Sequence, residues 1–296
     1  MFSCPRCGGP ASHAFSATDR NRATTDETFE YQRCDVCGVI WNPSPPADLE
    51  RYYSSNYHGE FPGLAELGAA ADSERQRLWF LTQGVAPGRM AEIGPSHGVF
   101  AFAARRAGWD VTALEMDADC CRHLSEVVGV TAVNTADPVS VLGTLPPSRA
   151  IAMWHVIEHV PDPWDVLRAV AENLEPGGVL GVATPNPDSL QARVFGARWV
   201  HLDAPRHLTL IPFDALVSSA RSAGLELQAA VTNDELGTII GRNGWSRSVS
   251  PPPALLLPGP RVEDIVGGVV QRVLAPVERR GLRGAAYTAV FRKAAA

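Results

Sequence analysis

The residues best suited to chemistry fall in four places along the 296-residue chain. HVIEHVPDP (155–163) sets His155, Glu158 and His159 in an H-x-x-E-H run. In one class of peptidase that spacing lets two imidazoles hold zinc while the carboxylate activates water. Cys4, Cys7, Cys34 and Cys37 form two C-x-x-C knuckles. EIGPSHG (92–98) wraps two glycines around Ser96, and Glu115 follows Gly94 by 21 residues. WVHLDAPRHLTL (199–210) carries Asp203, Arg206 and His207.

Each pattern has more than one reading. Two residues between thiolates let both sulfurs reach one ion, and four thiolates suit the tetrahedral preference of zinc. The 26 residues between Cys7 and Cys34 exceed the usual ribbon spacing and fit a β-hairpin with a long loop over 14–30. Four unrelated reduced cysteines are the plain alternative; a redox pair is disfavoured because neither knuckle follows a βαβ strand. Residues 1–61 hold five Arg against eight Asp or Glu, so this module reads as a structural unit or a wall of the substrate site. Nucleic acid is not its expected partner.

Gly94-x-Ser96-x-Gly98 matches the nucleophile elbow of a serine hydrolase. That reading needs several strands and an oxyanion loop upstream, and it leaves Glu115 without a role. A glycine turn from a strand into a helix offers free N–H groups and close backbone approach, and an acid ending the next strand suits ribose hydroxyls. Together they point to a nucleoside-containing cofactor. A dinucleotide is disfavoured, since no G-x-G-x-x-G is present. Of 26 basic residues only Lys293 is lysine, which excludes a P-loop and Schiff-base chemistry. Net charge is −6, with no long apolar span and no apolar leader after MFSCPRCGGP. These imply no nucleic acid, no membrane and a cytoplasmic, reducing setting.

What must position these groups is an α/β alternation. RMAEIG, DVTALE, VTAVN, AIAMW and VLGVAT read as strands, and GVFAFAARRAG, DADCCRHLSEVVG and PWDVLRAVAENLEPGG as intervening helices. LELQAAVT and AYTAVFRK add two late strands. The expected organisation is a zinc-binding module over 1–45, a linker with a Tyr-rich flap over 46–85, and an α/β domain over 86–296. Within it, 262–279 forms an amphipathic helix inserted before the last strand, packing on the core, a lid or another subunit.

AEIGPSHGVFA, VTALEMD, HVIEHVPDP, LEPGGVLGVATPNPDS and DAPRHLTLIP, in this order, resemble successive motifs of class I S-adenosylmethionine-dependent methyltransferases. The likeness is greatest to bacterial small-molecule and sugar enzymes with an N-terminal zinc-binding module. The resemblance implies a Rossmann-like sheet, mostly parallel with the last strand antiparallel. It places Glu92, Gly94, Ser96 and Gly98 around the methionine part of S-adenosylmethionine, with Trp154 in the same pocket. Glu115 would take the ribose, with Met116 and Asp137 at the adenine. His155, His159 and His207 become rival general bases, and Tyr53, Tyr57 and Arg206 candidate acceptor contacts. The peptidase reading loses ground because Val160-Pro-Asp-Pro stops any helix within one turn of the motif. Some ubiquinone-pathway-like relatives hold a metal at this run with an acid where this chain has His155. The expected reaction is methyl transfer to a small molecule, a sugar or secondary-metabolite intermediate. The alternatives are a hydrolase using Ser96, or a non-catalytic protein docking a partner through its zinc module. A homodimer or a carrier protein is the macromolecular partner left open.

Overall fold

The computed structural model describes residues 2–53, 59–232, 235–254 and 262–295. At the front, β1 (Ala11–Thr18) and β2 (Thr28–Cys34) form an antiparallel hairpin, and β3 (Ile40–Trp41) follows. α1 spans Leu64–Thr82. An alternation then begins with β4 (Arg89–Ile93), α2 (Val99–Arg106), β5 (Asp110–Glu115), α3 (Ala118–His123) and β6 (Thr131–Asn134). α4 (Pro138–Leu142), β7 (Ser148–Trp154), α5 (Pro163–Asn173), β8 (Leu174–Pro185) and α6 (Leu190–Phe195) continue it. β9 (Thr209–Leu210), α7 (Phe213–Ser222), β10 (Leu225–Thr232), α8 (Glu235–Arg247), α9 (Val262–Arg279) and β11 (Ala286–Lys293) complete the chain.

The main sheet runs β10-β11-β8-β7-β4-β5-β6. Five strands are parallel, and β11 inserts antiparallel between β8 and β10. This is the expected Rossmann-like sheet. Its central strand β7 reads as an unbroken apolar run because both faces are covered. Ile151 and Met153 enter one core with Val166, Leu180 and Tyr287; Ala150 and Ala152 enter the other with Phe100 and Leu81. Helices start where the sequence signals them. Asp117 caps α3 through the N–H groups of Asp119 and Cys120, and Asp162 caps α5, with Pro163 in its first turn. The proline that stops the H-x-x-E-H run therefore opens α5.

Two expectations change. From Leu64 the expected linker is a 19-residue helix that buries Leu67, Ala71, Leu78 and Leu81 in the domain core. Its alanines and charged residues dilute the apolar stripe, so periodicity gives little signal. The front module does not end at 45 either. β9, from far along the chain, pairs with β3 through Ile40–Leu210 and Trp41–Thr209, closing a four-stranded sheet. The helix α9 forms as expected, and among the described residues its apolar face does not pack on the core, which leaves a lid or another subunit of the three places foreseen. Val262, Ile265, Val266, Val269, Val273 and Val277 are exposed, while Gly267, Gln271 and Glu278 are buried.

Candidate active site

The glycine turn lies at the carboxyl end of β4. Gly94 has φ 66°, and a Cβ there would stand 2.5 Å from Val156 Cγ2, so only glycine fits this approach. Ser96 also has positive φ, 52°, an uncommon state for a residue with a side chain. Its N–H donates to Glu115 Oε2 at 3.0 Å, and the Asp117 N–H donates to Oε1 at 3.0 Å. Glu115 is thus buried and aimed at the turn, with acceptor sites to spare for two hydroxyls. Met116 beside it is exposed, as a residue laid against a ligand ring would be.

Beneath the turn Glu92 is buried and its Oε2 has no partner. Burial, reinforced by the Glu74 charge and only partly offset by Arg77, pushes its carboxyl up to about 8. Trp154 lies in the core on this side, its ring edge-on to Phe100 at 5.1 Å and under the Arg77 guanidinium. Its indole Nε1 is likewise unpartnered. Buried polar atoms without partners are uncommon and call for a ligand. An amino acid's ammonium and carboxylate would meet Glu92 and backbone N–H groups here, so these residues fit the methionine end of S-adenosylmethionine. Asp137 follows β6 but is exposed and spends its carboxylate capping α4 through Ser140. Phe61, which the sequence did not single out, stacks over His97 and His123 at 5.4 and 5.0 Å and so roofs the turn.

His155 follows β7 directly. Its N–H bonds the Ala183 carbonyl at 2.8 Å and its φ is 59°, so the sheet fixes a strained backbone there. Its ring is 24% exposed, and Nδ1 stands 3.5 Å from Glu158 Oε1. Glu158 is fully buried. Its Oε2 accepts from Thr184 Oγ1 at 2.9 Å, and Oε1 has no hydrogen bond. Burial alone would raise this carboxyl, but His155, His207 and His159 together hold it down to about 2.

His207 Nε2 reaches Glu158 Oε1 at 4.0 Å and Asp203 Oδ2 at 3.9 Å. Its Nδ1 faces the His201 carbonyl at 2.9 Å, which only an N–H satisfies, so Nε2 carries the lone pair when the ring is neutral. His159 stacks edge-on against His207 at 4.5 Å, and its Nδ1 meets the Arg206 carbonyl and Tyr53 hydroxyl, both at 3.1 Å. Burial and the neighbouring His207 charge draw His159 down to about 4. It is a neutral, enclosed ring and a poor acceptor of substrate protons. One ligating atom from each of Glu158, His159 and His207 lies within 4.8 Å of the others, a set that can accept a proton or a small cation.

Arg206 is not an acceptor contact. It is fully buried, and its fork is consumed: Nε and Nη2 donate to Asp203 at 3.0 and 2.7 Å, Nη1 and Nη2 to Asp19 at 3.2 and 2.6 Å. Nη1 also meets the Tyr52 carbonyl at 3.1 Å. Asp19 belongs to the front module, so Arg206 bolts that module to the loop carrying His207. Tyr31, also of the module, donates to the His207 carbonyl at 2.9 Å. Tyr57 lies outside the described residues; Tyr53 touches His159 rather than open space.

The four cysteines of the front module converge. Cys4–Cys37 and Cys7–Cys34 sulfurs are 3.6 Å apart and Cys7–Cys37 3.7 Å. A tetrahedral zinc with about 2.3 Å bonds requires sulfurs about 3.8 Å apart, so the set fits the ion. Burial opposes a thiolate at Cys34, yet the Cys37 and Val36 N–H groups, each 3.4 Å from its sulfur, bring it to about 7.

Comparison with known proteins agrees with this layout. The chain is 29% identical over 212 residues to the ubiquinone biosynthesis O-methyltransferase of Xanthomonas campestris, covering 63% of this chain and 87% of that one. It is 32% identical over 149 residues to the Bordetella avium protein of the same name, covering 47% of this chain and spanning 62% of the relative's length. Among solved structures, a SAM dependent methyltransferase from Archaeoglobus fulgidus superposes with TM-score 0.50 at 15% identity, covering 77% of this chain and 94% of that one. The [4+2]-cyclase SpnF superposes with TM-score 0.51 at 17% identity, covering 80% and 85%. At such identities these two establish the fold alone, and SpnF shows that the fold hosts other chemistry. A family described as "Methyltransferase domain" matches residues 65–230, more than half of the 296 residues. That match leaves no place for a Ser96 hydrolase: the chain belongs to the methyltransferase domain family, with a class I sheet and a four-cysteine module at its front.

Proposed function

We propose that this protein moves the methyl group of S-adenosylmethionine to a hydroxyl of a small-molecule acceptor in the cytoplasm, with His155 as the general base. The observation that carries the reading is the His155–Glu158 pair at the carboxyl end of β7, beside the glycine turn. The sulfonium makes the methyl electrophilic when the cofactor is bound, so the protein's work is alignment and proton removal. Glu158, anionic and buried, faces His155 Nδ1 and favours the tautomer with the proton on that nitrogen. Nε2 is then left to take the acceptor's proton, and the carboxylate stabilises the imidazolium that forms.

The O-methyltransferase relatives support an oxygen acceptor. The sugar or secondary-metabolite acceptor expected from the sequence has no anchor in Arg206, whose guanidinium is spent on Asp19 and Asp203. The four thiolate ligands suit a reducing compartment. Zinc is the structural ion of the front module in this reading.

The test is steady-state kinetics on hydroxylated acceptors with mass detection of the methylated product. His155→Ala should lower kcat by about 10²–10⁴-fold, the usual worth of a positioned base, with cofactor affinity unchanged. Equal, small effects from His155→Ala and His207→Ala would mean that neither ring removes the proton.

A further inference from the structure

Helix α9 is amphipathic in reverse. Toward α8 it presents small and polar groups: Gly267 lies against Ser246 and the Arg242 carbonyl, Gln271 bonds Glu278 at 2.9 Å, and Trp245 Nε1 donates to Glu278 at 3.2 Å. Outward it presents Val262, Ile265, Val266, Val269, Val273 and Val277, from 46% exposed at Val277 to 74% at Val262. Beside them, Ile239 and Arg242 of α8 complete a groove of about 780 Å³ with Ile265, Val269 and Val273. An isolated exposed aliphatic side chain is ordinary, whereas six on one face of one helix form a patch.

We propose that this face is the interface of a homodimer in which α9 packs antiparallel against α9 of a second copy. Three observations favour another copy over a lipid or an unrelated protein. The outward residues Val262, Val266, Val269 and Val273 recur in steps of four, three and four, with Ile265 and Val277 flanking them on the same face. That is the 3.5-residue period of a seam meeting another helix, and α9 itself is a helix with the matching seam. Six such side chains, half to three-quarters uncovered, offer on the order of 600 Å² of apolar surface, comparable with the roughly 800 Å² each partner gives to a stable interface. Charge is split along the helix, with Glu263 in its first turn, beside an Asp264 already paired to Arg247 at 3.1 Å, and Arg279 in its last, followed by Arg280. Antiparallel pairing brings each acidic end to a basic end and aligns the helix dipoles favourably. A twofold axis at the level of Gln271 sets Val269 against the partner's Val273 and Ile265 against the partner's Val277, a closed, self-complementary contact.

The experiment is sedimentation of the full chain over a concentration series, with a cysteine cross-linking arm. Wild type should sediment as a dimer at micromolar concentration. Val269→Glu with Val273→Glu should give a monomer that keeps its circular dichroism and its affinity for S-adenosylhomocysteine, since both positions face solvent in the single chain. In the second arm, an equal mixture of Val269→Cys and Val273→Cys proteins should form a disulfide-linked heterodimer under mild oxidation, faster than either forms with itself. A wild type that stays monomeric at 100 µM, including one that instead pelets with vesicles containing phosphatidylglycerol, would overturn the proposal. So would a dimer untouched by the two glutamates, or cross-linking of each single variant with itself in preference.

Discussion

Three carboxylates of the candidate active site, Glu92, Glu115 and Glu158, differ in what surrounds them, and their expected behaviour differs accordingly. Glu92 is buried without a partner and held near 8, against an ordinary value of 4.5. Its folded value lies above its unfolded one, so the folding contribution is most favourable below pH 4.5 and is lost as pH rises toward 8. Glu92→Gln should therefore stabilise the cofactor-free protein at pH 8 by roughly 1–3 kcal/mol while weakening cofactor binding; thermal melts with and without S-adenosylhomocysteine read both. His159 and His201 shift the other way, each brought to about 4, chiefly by burial. Stability from keeping these rings neutral is present above pH 6.5 and lost as pH falls to 4. The melting temperature should drop between pH 7 and pH 5, and an unchanged value would mean the rings are not buried neutral. At this scale the sequence was legible where spacing met topology. Gly94, Ser96, Glu115 and His155 come together as their motifs implied. Glu158 was in view in H-x-x-E-H, but its burial between Thr184 and three imidazoles depends on residues up to 49 positions away. Arg206 was misread because its partner Asp19 is 187 residues distant.

Among the elements, the strands of the main sheet were readable from apolar runs and the helix starts from Asp and Pro. The front module's dependence on the rest of the chain was not. β9 contributes two residues to that module's sheet, too few to leave a period, and α1 hides its stripe among alanines. The module is consequently a buttress as well as a set of four cysteines that fits a metal: Tyr31 and Asp19 reach from it to the loop bearing His207. Zinc analysis should find one ion per chain, and Cys4→Ser with Cys34→Ser should abolish it. In that variant the acceptor KM should rise more than the cofactor Kd, because the loop of His207 loses the backing that Tyr31 and Asp19 give it. Arg206→Ala should cost about 3–5 kcal/mol, since two buried carboxylates lose their cation; denaturant melts measure it, and a loss below 1 kcal/mol would contradict the bolt.

For the whole molecule, the family, the sheet order and the unpartnered atoms under the glycine turn converge on one cofactor. Sheet order itself was only partly legible, because the insertion of β11 between β8 and β10 is a long-range pairing that no local pattern encodes. Among the described residues no helix is long and apolar enough to cross a membrane. The central claim is that the pocket between Gly94, Glu115 and His155 takes S-adenosylmethionine, and calorimetry with S-adenosylhomocysteine tests it most directly. Wild type should bind one equivalent per chain, Glu115→Ala should lose most of that affinity through its ribose contacts, and His155→Ala should bind as wild type does. Absence of binding by the wild type, or full affinity in Glu115→Ala, would contradict the account.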